Sequence, residues 1–224
     1  MMLSIFNKIV VKFLFLCLIK PSRADYCSIF WIVGRMSLYL LQNISTNFIA
    51  MNVIIENIIS RRSVKSYKDA MPPAEIIKEI CKAGTYAPTG MGMQSPIIIA
   101  ITNRELRDRL SRMNAAIMNM TNFDPFYNAP VVLVVLAKKE IGTHVYDGTL
   151  VMENLMLAAH SFGLGSCWIH RAKEEFESEE GKQILRDLGI EGEWEGIGHC
   201  IVGYTDKEPA AQKPRKGNYI YFAD

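Results

Sequence analysis

Apolar residues recur along residues 51–224 with two different patterns. Five segments space them three and four residues apart, which predicts helices, and four short runs are almost continuously apolar, which predicts buried strands. The predicted helices cover residues 53–62, 73–87, 103–120, 150–162 and 173–188. The predicted strands cover residues 96–102, 130–137, 166–169 and 196–204. Because helices and strands alternate, we expect a layered α/β or α+β domain.

The last two predicted helices differ in character. Helix 150–162 is apolar on most sides, so it should lie deep in the core. Helix 173–188 is rich in charge, so it should be exposed. Either Gly163 or Gly165 is expected to end the earlier helix, because glycine readily adopts the backbone conformation of a helix C-cap.

The composition is that of a globular protein. Half of the 224 residues are apolar and 21% are charged, which a disordered chain would not show. Residues 1–50 hold five basic residues and one acidic residue, which leaves residues 51–224 nearly neutral. A nearly neutral body has no field to attract nucleic acid, so no such partner is expected. The five cysteines include no C-x-x-C pair, which argues against a disulfide framework and a zinc site.

Common catalytic and nucleotide-binding motifs are absent from the sequence. Gly90-Met91-Gly92 has Ser95 and Gly163-Leu164-Gly165 has Trp168 where a dinucleotide-binding turn needs its third glycine. There is no P-loop, no H-E-x-x-H metal motif and no G-x-S-x-G nucleophile motif. The sequence therefore supports neither a metal site nor a hydrolase.

Two basic clusters are candidates for binding a phosphate. A guanidinium can bind a phosphate through two hydrogen bonds, an ammonium adds charge and a hydroxyl donates a further bond. The clusters consist of Arg61, Arg62, Ser63 and Lys65 near the start of the domain and Lys213, Arg215 and Lys216 near its end. The same residues are also typical of solvated surface charge.

Two further segments could approach a flat ligand. Residues 87–96 contain small residues, two methionines and no charge, so their backbone could come close to an aromatic system. A simple tight turn explains that composition equally well. Residues 163–170 end a helix and begin a strand, and His170 stands at the strand end, where functional side chains often occur.

In chain order, these segments resemble the motifs of the FMN-dependent nitroreductase family. Residues 61–65 (RRSVK) are similar to the family's R-x-S-x-[RK] motif, and residues 87–96 (APTGMGMQSP) to its A-P-S-x-x-N-x-Q-P-W segment. Residues 154–169 resemble the long central helix and its exit, and residues 213–216 (KPRK) the terminal basic motif. The resemblance covers residues 51–224 and none of the preceding fifty.

The second motif departs from the family pattern at two places. Gly92 stands where many members have asparagine, and Ser95-Pro96 replaces Pro-Trp. These differences bear on the contacts of this loop and on the size of the substrate pocket.

The resemblance implies an α+β fold with a central, mostly antiparallel sheet flanked by helices, assembled as a homodimer with two FMN sites at the interface. The residues it implies for the FMN phosphate and ribityl chain are Arg61, Arg62, Ser63, Lys213 and Arg215. Lys65 would lie near the flavin pyrimidine edge. The residues of the uncharged loop that would bind the partner subunit's flavin are Pro88, Thr89 and Gly90, and Gln94 belongs to the same cofactor-binding set. The residues expected beside the flavin ring, some through backbone atoms, are Trp168, Ile169 and His170.

The implied activity is that of an NAD(P)H-dependent FMN oxidoreductase. Hydride from NAD(P)H would reach flavin N5 and pass, in a ping-pong cycle, to a nitroaromatic, a quinone or another electron-poor small molecule. No side chain is expected to act as an obligatory acid or base, and no metal is expected. Two alternatives stay open: a flavin-fragmenting or reductive-dehalogenating enzyme of the same fold, and a flavin-binding protein without turnover.

Residues 1–50 lie outside the resemblance and allow three interpretations. Lys8, the apolar stretch behind it and Ser22-Arg23-Ala24 fit a signal peptide, although Lys12 interrupts that stretch. A membrane anchor is the second interpretation, and translation from Met51 is the third. We favour the third, because the recognisable domain begins near Met51, and we expect a cytoplasmic protein without membrane association. A genuine leader would instead imply an exported or anchored protein.

Overall fold

The computed structural model describes residues 52–223, so the interpretations of residues 1–50 concern a segment outside the described residues. The chain divides into two compact units between Glu56 and Asn57, and everything below except the start of the first helix belongs to the second unit. In residues 52–223 the α-helices are α1 (Val53–Ser60), α2 (Ala74–Thr85), α3 (Arg104–Ile117), α4 (His144–Ser161), α5 (Ala172–Glu177) and α6 (Glu179–Asp187). The strands are β1 (Ile97–Ile101), β2 (Val131–Lys138), β3 (Gly165–Ile169) and β4 (Trp194–Gly203).

The strands form one sheet in the order β1-β2-β4-β3, and every neighbouring pair is antiparallel. Helices cover both faces of this sheet, so the expected α+β architecture with an antiparallel sheet is confirmed. Strand β3 is therefore an edge strand, and its free edge is where the candidate site lies.

Strand β2 lies at the centre of the core and explains how the two helical layers are attached. Successive side chains of a strand point to opposite faces. Val131, Leu133 and Val135 belong to the apolar cluster that includes residues of α2 and α4. Val132 and Val134 belong to the cluster that includes residues of α3, α5 and α6. A strand buried on both faces reads as a continuous apolar run, which is why the sequence pattern located it.

Two predicted helices differ from the observed ones. Helix α4 begins at His144, six residues before the predicted start at residue 150. The prediction missed the first residues (HVYDGT) because they are mostly polar and do not repeat apolar side chains at helical spacing. The predicted helix 173–188 is two helices, because the Ser178 side chain accepts a hydrogen bond from the Gly181 N–H and begins a new helix there. The expectation that this segment is exposed is wrong for Glu175 and Phe176, which are buried.

Gly163 has a φ of +72° and closes α4, as one of the two predicted caps. Within residues 52–223, no helix has both the length and the apolar character needed to cross a bilayer.

Candidate active site

The segment that contains the first basic cluster lies along the free edge of β3. The Val64 N–H donates a 2.9 Å hydrogen bond to the Ser166 carbonyl, and Ser63 forms a parallel bridge with Ser166. The Tyr67 hydroxyl donates to the Val64 carbonyl at 2.7 Å. Glycine is required at position 165, because a Cβ there would lie 2.9 Å from the Val64 side chain. The fold thereby fixes the backbone on which Arg61, Ser63 and Lys65 are carried.

A cleft of about 200 Å³ opens beside this segment, and we call it the Arg61 cleft. It is smaller than the roughly 300–1,000 Å³ typical of pockets that hold a whole ligand of drug size. The residues that line it are Arg61, Arg62, Val64, His160, Gly163, Leu164, Gly165, Ser166, Thr205 and Pro209. Its size and its cationic lining suit the phosphate end of a cofactor.

Arg61 supplies the buried hydrogen-bond donors of this cleft. Its Nε and Nη1 atoms are buried and have no hydrogen-bond partner among the described residues. The Glu153 carboxylate is an ion-pair neighbour, but its Oε1 atom lies 3.8 Å from Nε. The Ser166 hydroxyl is also buried without a partner in the described part of the chain. Because an unpaired buried donor is costly, this arrangement fits a ligand with several acceptor oxygens, such as a phosphate.

Arg62 connects the cleft to the C-terminal segment. Its Nη1 donates to the carbonyls of Ile59 and Arg61, and its Nη2 donates to Gln212 Oε1 at 2.7 Å. Gln212 directly precedes the second basic cluster, in which Lys213 and Arg215 are exposed. The two ends of the domain therefore meet at this cleft, although Arg62 already uses three of its hydrogen bonds within the chain.

His160 is a cleft residue that the sequence analysis missed. It lies in the last turn of α4, and its Nε2 atom is 2.8 Å from the Ser60 hydroxyl. Burial lowers the pKa of His160 below its ordinary value, and the nearby positive charges of Arg61 and Arg62 lower it further. One signal was available: Glu153 and His160 are seven residues apart, which places both on one face of a helix.

Lys65 and Ser63 lie on the same edge, close to Cys167. The Lys65 Nζ atom lies 5.6 Å from the centre of the Tyr127 ring. Burial raises the pKa of the Cys167 thiol, while a hydrogen bond with Ser63 and the charges of Lys65 and Arg61 oppose that rise. The net shift of the Cys167 pKa is upward, which favours the thiol over the nucleophilic thiolate.

The three residues predicted beside the flavin ring point in different directions. The Trp168 indole lies against β4, where a Cβ on Gly198 would come within 2.6 Å of its Nε1. The Ile169 side chain is buried in the core, so it could contact a cofactor only through its backbone. His170 is exposed, and its carbonyl accepts a 2.8 Å hydrogen bond from Asn114 Nδ2.

The uncharged loop is held to the other end of α4. The Gly90 N–H donates to Asp147 Oδ1, and Thr143 Oγ1 donates to Asp147 Oδ2, both at 3.0 Å. Within the loop, the Gln94 N–H donates to Thr89 Oγ1, and Met91 and Gln94 have φ angles of +52° and +49°. Asp147 is a second residue that the sequence analysis missed, because a single polar residue at a helix start usually only caps the helix.

The predicted site residues thus fall into two groups within one chain. Arg61, Arg62, Ser63 and the start of the C-terminal segment meet at the last turn of α4, whereas the loop with Pro88, Thr89, Gly90 and Gln94 is bound to its first turn. Asp147 and His160 are thirteen residues apart, which at 1.5 Å per residue is about 20 Å along the helix. The structure does not bring the two groups together in one chain.

Comparison with known proteins identifies the family. The sequence model of the "Nitroreductase family" matches residues 58–204. The chain belongs to the nitroreductase family. The match begins just before the first basic cluster and ends with β4. It includes the uncharged loop and every residue of the Arg61 cleft except Thr205 and Pro209.

Three named relatives resemble the chain in sequence. A protein of Archaeoglobus fulgidus, provisionally named an NADH dehydrogenase/NAD(P)H nitroreductase, is 30% identical over 62% of this chain and 76% of its own. The FMN reductase (NADPH) of Bacillus subtilis is 27% identical over 57% of each chain. A further provisionally named NADH dehydrogenase/NAD(P)H nitroreductase, from Methanothermobacter thermautotrophicus, is 29% identical, and only 59% of its length is matched.

Among solved structures, the nitroreductase of Bacteroides fragilis with bound FMN superimposes with a TM-score of 0.71. It is 26% identical to this chain and matches 78% of it and all of the solved chain.

Proposed function

We propose that this chain is an FMN-dependent oxidoreductase that takes a hydride from NAD(P)H and passes it to a nitroaromatic, a quinone or another electron-poor small molecule. Membership of the nitroreductase family supports this proposal. The bound FMN of the Bacteroides structure and the NADPH-dependent activity named for the Bacillus relative support the cofactor and the reductant.

The observation that carries the proposal is the set of buried donors in the Arg61 cleft that have no hydrogen-bond partner in the described part of the chain. We assign the FMN phosphate to this cleft, where Arg61 Nε and Nη1 and the Ser166 hydroxyl would donate to its oxygens. His160 would become a further donor when it is protonated. Lys213 and Arg215 are exposed and follow Gln212, which Arg62 holds near the cleft, so they would add positive charge toward the same anion.

The chain's own residues then bind, orient and tune the cofactor. When bound, FMN supplies hydride acceptance and delivery at N5, so no side chain has to form a covalent bond with substrate. The Lys65 ammonium would stabilise the negative charge that develops near the pyrimidine edge. The backbone at residues 168–170 would orient the ring, since the Ile169 side chain is turned into the core. Catalysis on this account rests on positioning, with no obligatory protein acid or base.

We also propose that the active form is a homodimer. The Arg61 cleft and the Gly90 loop are held at opposite ends of α4, about 20 Å apart along its axis. We therefore assign the loop to the flavin site of a second copy. Large apolar side chains are exposed on the same unit, among them Met91 at 95%, Tyr221 at 80% and Phe222 at 85%. Exposed apolar groups of this kind are typical of surfaces that become covered in an assembly. A reaction that consumes NAD(P)H also suits the cytoplasmic location that we propose.

Absorbance spectroscopy of the purified, FMN-reconstituted protein tests this function. We expect flavin bands that bleach on addition of NADH or NADPH and return on addition of a nitroarene or a quinone. If FMN binds but its absorbance does not bleach, the result would favour the alternative of a flavin-binding protein without turnover. Bleaching followed by reaction only with a halogenated aromatic, or by loss of the flavin itself, would favour the flavin-fragmenting or dehalogenating alternatives. Failure to bind FMN would contradict the proposal.

A further inference from the structure

The segment between α3 and β2 contains two consecutive residues in a backbone conformation that side chains rarely adopt. Tyr127 and Asn128 have φ angles of +51° and +59°. Asparagine adopts this conformation more readily than other side chains, so the strain lies at Tyr127. Such strain persists only where the surroundings impose it. Strained residues of this kind concentrate at functional sites. The contacts that impose the strain and the position of the segment therefore bear on its function.

The cause is Asp124, whose carboxylate collects four hydrogen bonds. Its Oδ2 accepts from Arg107 Nη2 and from the Asn128 N–H, both at 2.6 Å. Its Oδ1 accepts from the Ser111 hydroxyl at 2.5 Å and from the Phe126 N–H at 2.9 Å. Two of these donors flank Tyr127 in sequence, so the carboxylate fixes the backbone on both sides of it.

The position is beside Lys65. The Tyr127 ring centre lies 5.6 Å from Lys65 Nζ, within the range of a cation–π interaction. Phe123 packs edge-on against the same ring, with the centroids 5.6 Å apart and the planes at 85°, and so restricts its orientation. Within residues 52–223 no carboxylate lies within ion-pair distance of Lys65.

An aromatic face and a carboxylate would hold this ammonium with different consequences. A carboxylate would neutralise the positive charge, whereas a π face attracts the cation and leaves its net charge available to another anion. The observed partner is the π face.

We propose that Tyr127 is a positioning residue that holds the Lys65 ammonium ready for the negative charge of a reduced flavin. The inference rests on the proposed function, in which Lys65 serves the pyrimidine edge. Tyr127 acts through Lys65, and the Asp124 carboxylate maintains the strained backbone that presents the ring.

Two variants separate the ring from its hydroxyl: Tyr127→Leu removes the π face, and Tyr127→Phe keeps it. The first readout needs no cofactor. Lysines of the intact protein are reductively methylated with ¹³C-formaldehyde, and the Lys65 signal is assigned by its loss in Lys65→Arg. We expect an aromatic ring-current shift of this signal in wild type and Tyr127→Phe, and its loss in Tyr127→Leu.

The second readout is the affinity of each variant for reduced and for oxidised FMN. We expect Tyr127→Leu to lose roughly threefold of the wild-type preference for reduced FMN, in keeping with a partly exposed cation–π contact, and Tyr127→Phe to keep it. An unchanged preference in Tyr127→Leu, with FMN still bound, would overturn the inference and leave the proposed function intact. An unshifted Lys65 signal in wild type would also overturn it. Failure of the wild type to bind FMN would instead refute the proposed function, and this inference with it.

Discussion

At Arg61, two guanidinium nitrogens are buried without an acceptor in residues 52–223, and the Glu153 carboxylate stays 3.8 Å from one of them, Nε. His160 faces the same space with a pKa lowered by burial and by the charges of Arg61 and Arg62. Two positively charged guanidinium groups, and an imidazole whose protonation they oppose, are thus held together around one cleft. Such an arrangement is unfavourable by itself and becomes favourable when an anion enters.

The pKa of His160 should therefore report the arrival of that anion. We expect FMN binding to raise this pKa, because the phosphate charge offsets the neighbouring arginines. An NMR titration of the His160 imidazole, assigned by loss of its signal in His160→Gln, measures the change. Riboflavin, which lacks the phosphate, is the matched control and should leave the pKa where it is. An unchanged His160 pKa in the FMN complex would place the phosphate elsewhere.

At the scale of elements, the site depends on how segment 61–65 is attached to β3. The contact is close because Gly165 has no side chain and lets Val64 lie against the strand. The segment between α3 and β2 is attached in a different way, through the single carboxylate of Asp124. One residue is central to each attachment, Gly165 in the first and Asp124 in the second, so each can be tested by one substitution.

Gly165→Ala should weaken both folding and FMN binding. The added methyl group would lie 2.9 Å from Val64, so segment 61–65 has to move away from the strand. We expect a loss of about 1–3 kcal/mol in the free energy of unfolding, as for other overpacked sites, together with a higher Kd for FMN. Urea denaturation and flavin fluorescence measure the two effects. Gly142→Ala is the control, because nothing lies within 4 Å of a Cβ at that position; equal behaviour of both variants would contradict this account of the edge.

Asp124→Asn should destabilise the protein in a pH-dependent way. Burial alone would raise the pKa of Asp124, but hydrogen bonds from Arg107, Ser111 and Asn128 and the Arg107 charge outweigh it and lower the pKa. A carboxyl whose pKa falls on folding contributes its full stability above its unfolded pKa, near 4, and loses it as the pH drops through the folded value. We expect a cost of about 1–3 kcal/mol at pH 7 that shrinks below roughly pH 4.

Urea denaturation at several pH values checks this prediction. Asp69→Asn, at an exposed position, is the control and should change little. A destabilisation by Asp124→Asn that stays constant from pH 7 down to pH 3 would exclude the ionised carboxylate as its cause.

At the scale of the whole molecule, the fold was largely predictable, whereas the composition of the site was predictable only in part. All four strands were located by apolar runs. The run is continuous in β2, which is buried on both faces, whereas β4 is located despite Glu195 and His199 within it. Family motifs pointed to Arg61 and to the Gly90 loop. His160, Asp147 and Gln212 were missed because each acts through a contact between segments distant in sequence. A single polar residue forms no repeating sequence pattern from which such a contact could be predicted. The separation of the two residue groups along α4 followed only from the observed start of that helix at His144.

That separation leads to a prediction about assembly. If each flavin site combines the Arg61 cleft of one subunit with the Gly90 loop of the other, two differently damaged chains should complement each other. Arg61→Ala damages the cleft, and Gly90→Val damages the loop, because a Cβ at that position would lie 2.4 Å from Thr143 Oγ1. A mixed dimer has one doubly damaged site and one intact site. Random pairing in a 1:1 mixture makes about half of the dimers mixed, so about a quarter of the wild-type FMN capacity should return. Each variant mixed with itself is the control, and no recovery in the mixture would place both groups in one site of a single chain.

The most direct test of whether the Arg61 cleft holds the flavin phosphate is a comparison of two affinities, for FMN and for riboflavin. Both are measured for wild type and for Arg61→Ala. The account predicts that wild type prefers FMN and that Arg61→Ala loses roughly 10–100-fold of this preference, the size expected for charge-assisted hydrogen bonds to a buried phosphate. The affinity for riboflavin should barely change. A wild-type protein that binds both ligands equally, or an Arg61→Ala variant that keeps the full preference for FMN, would contradict it.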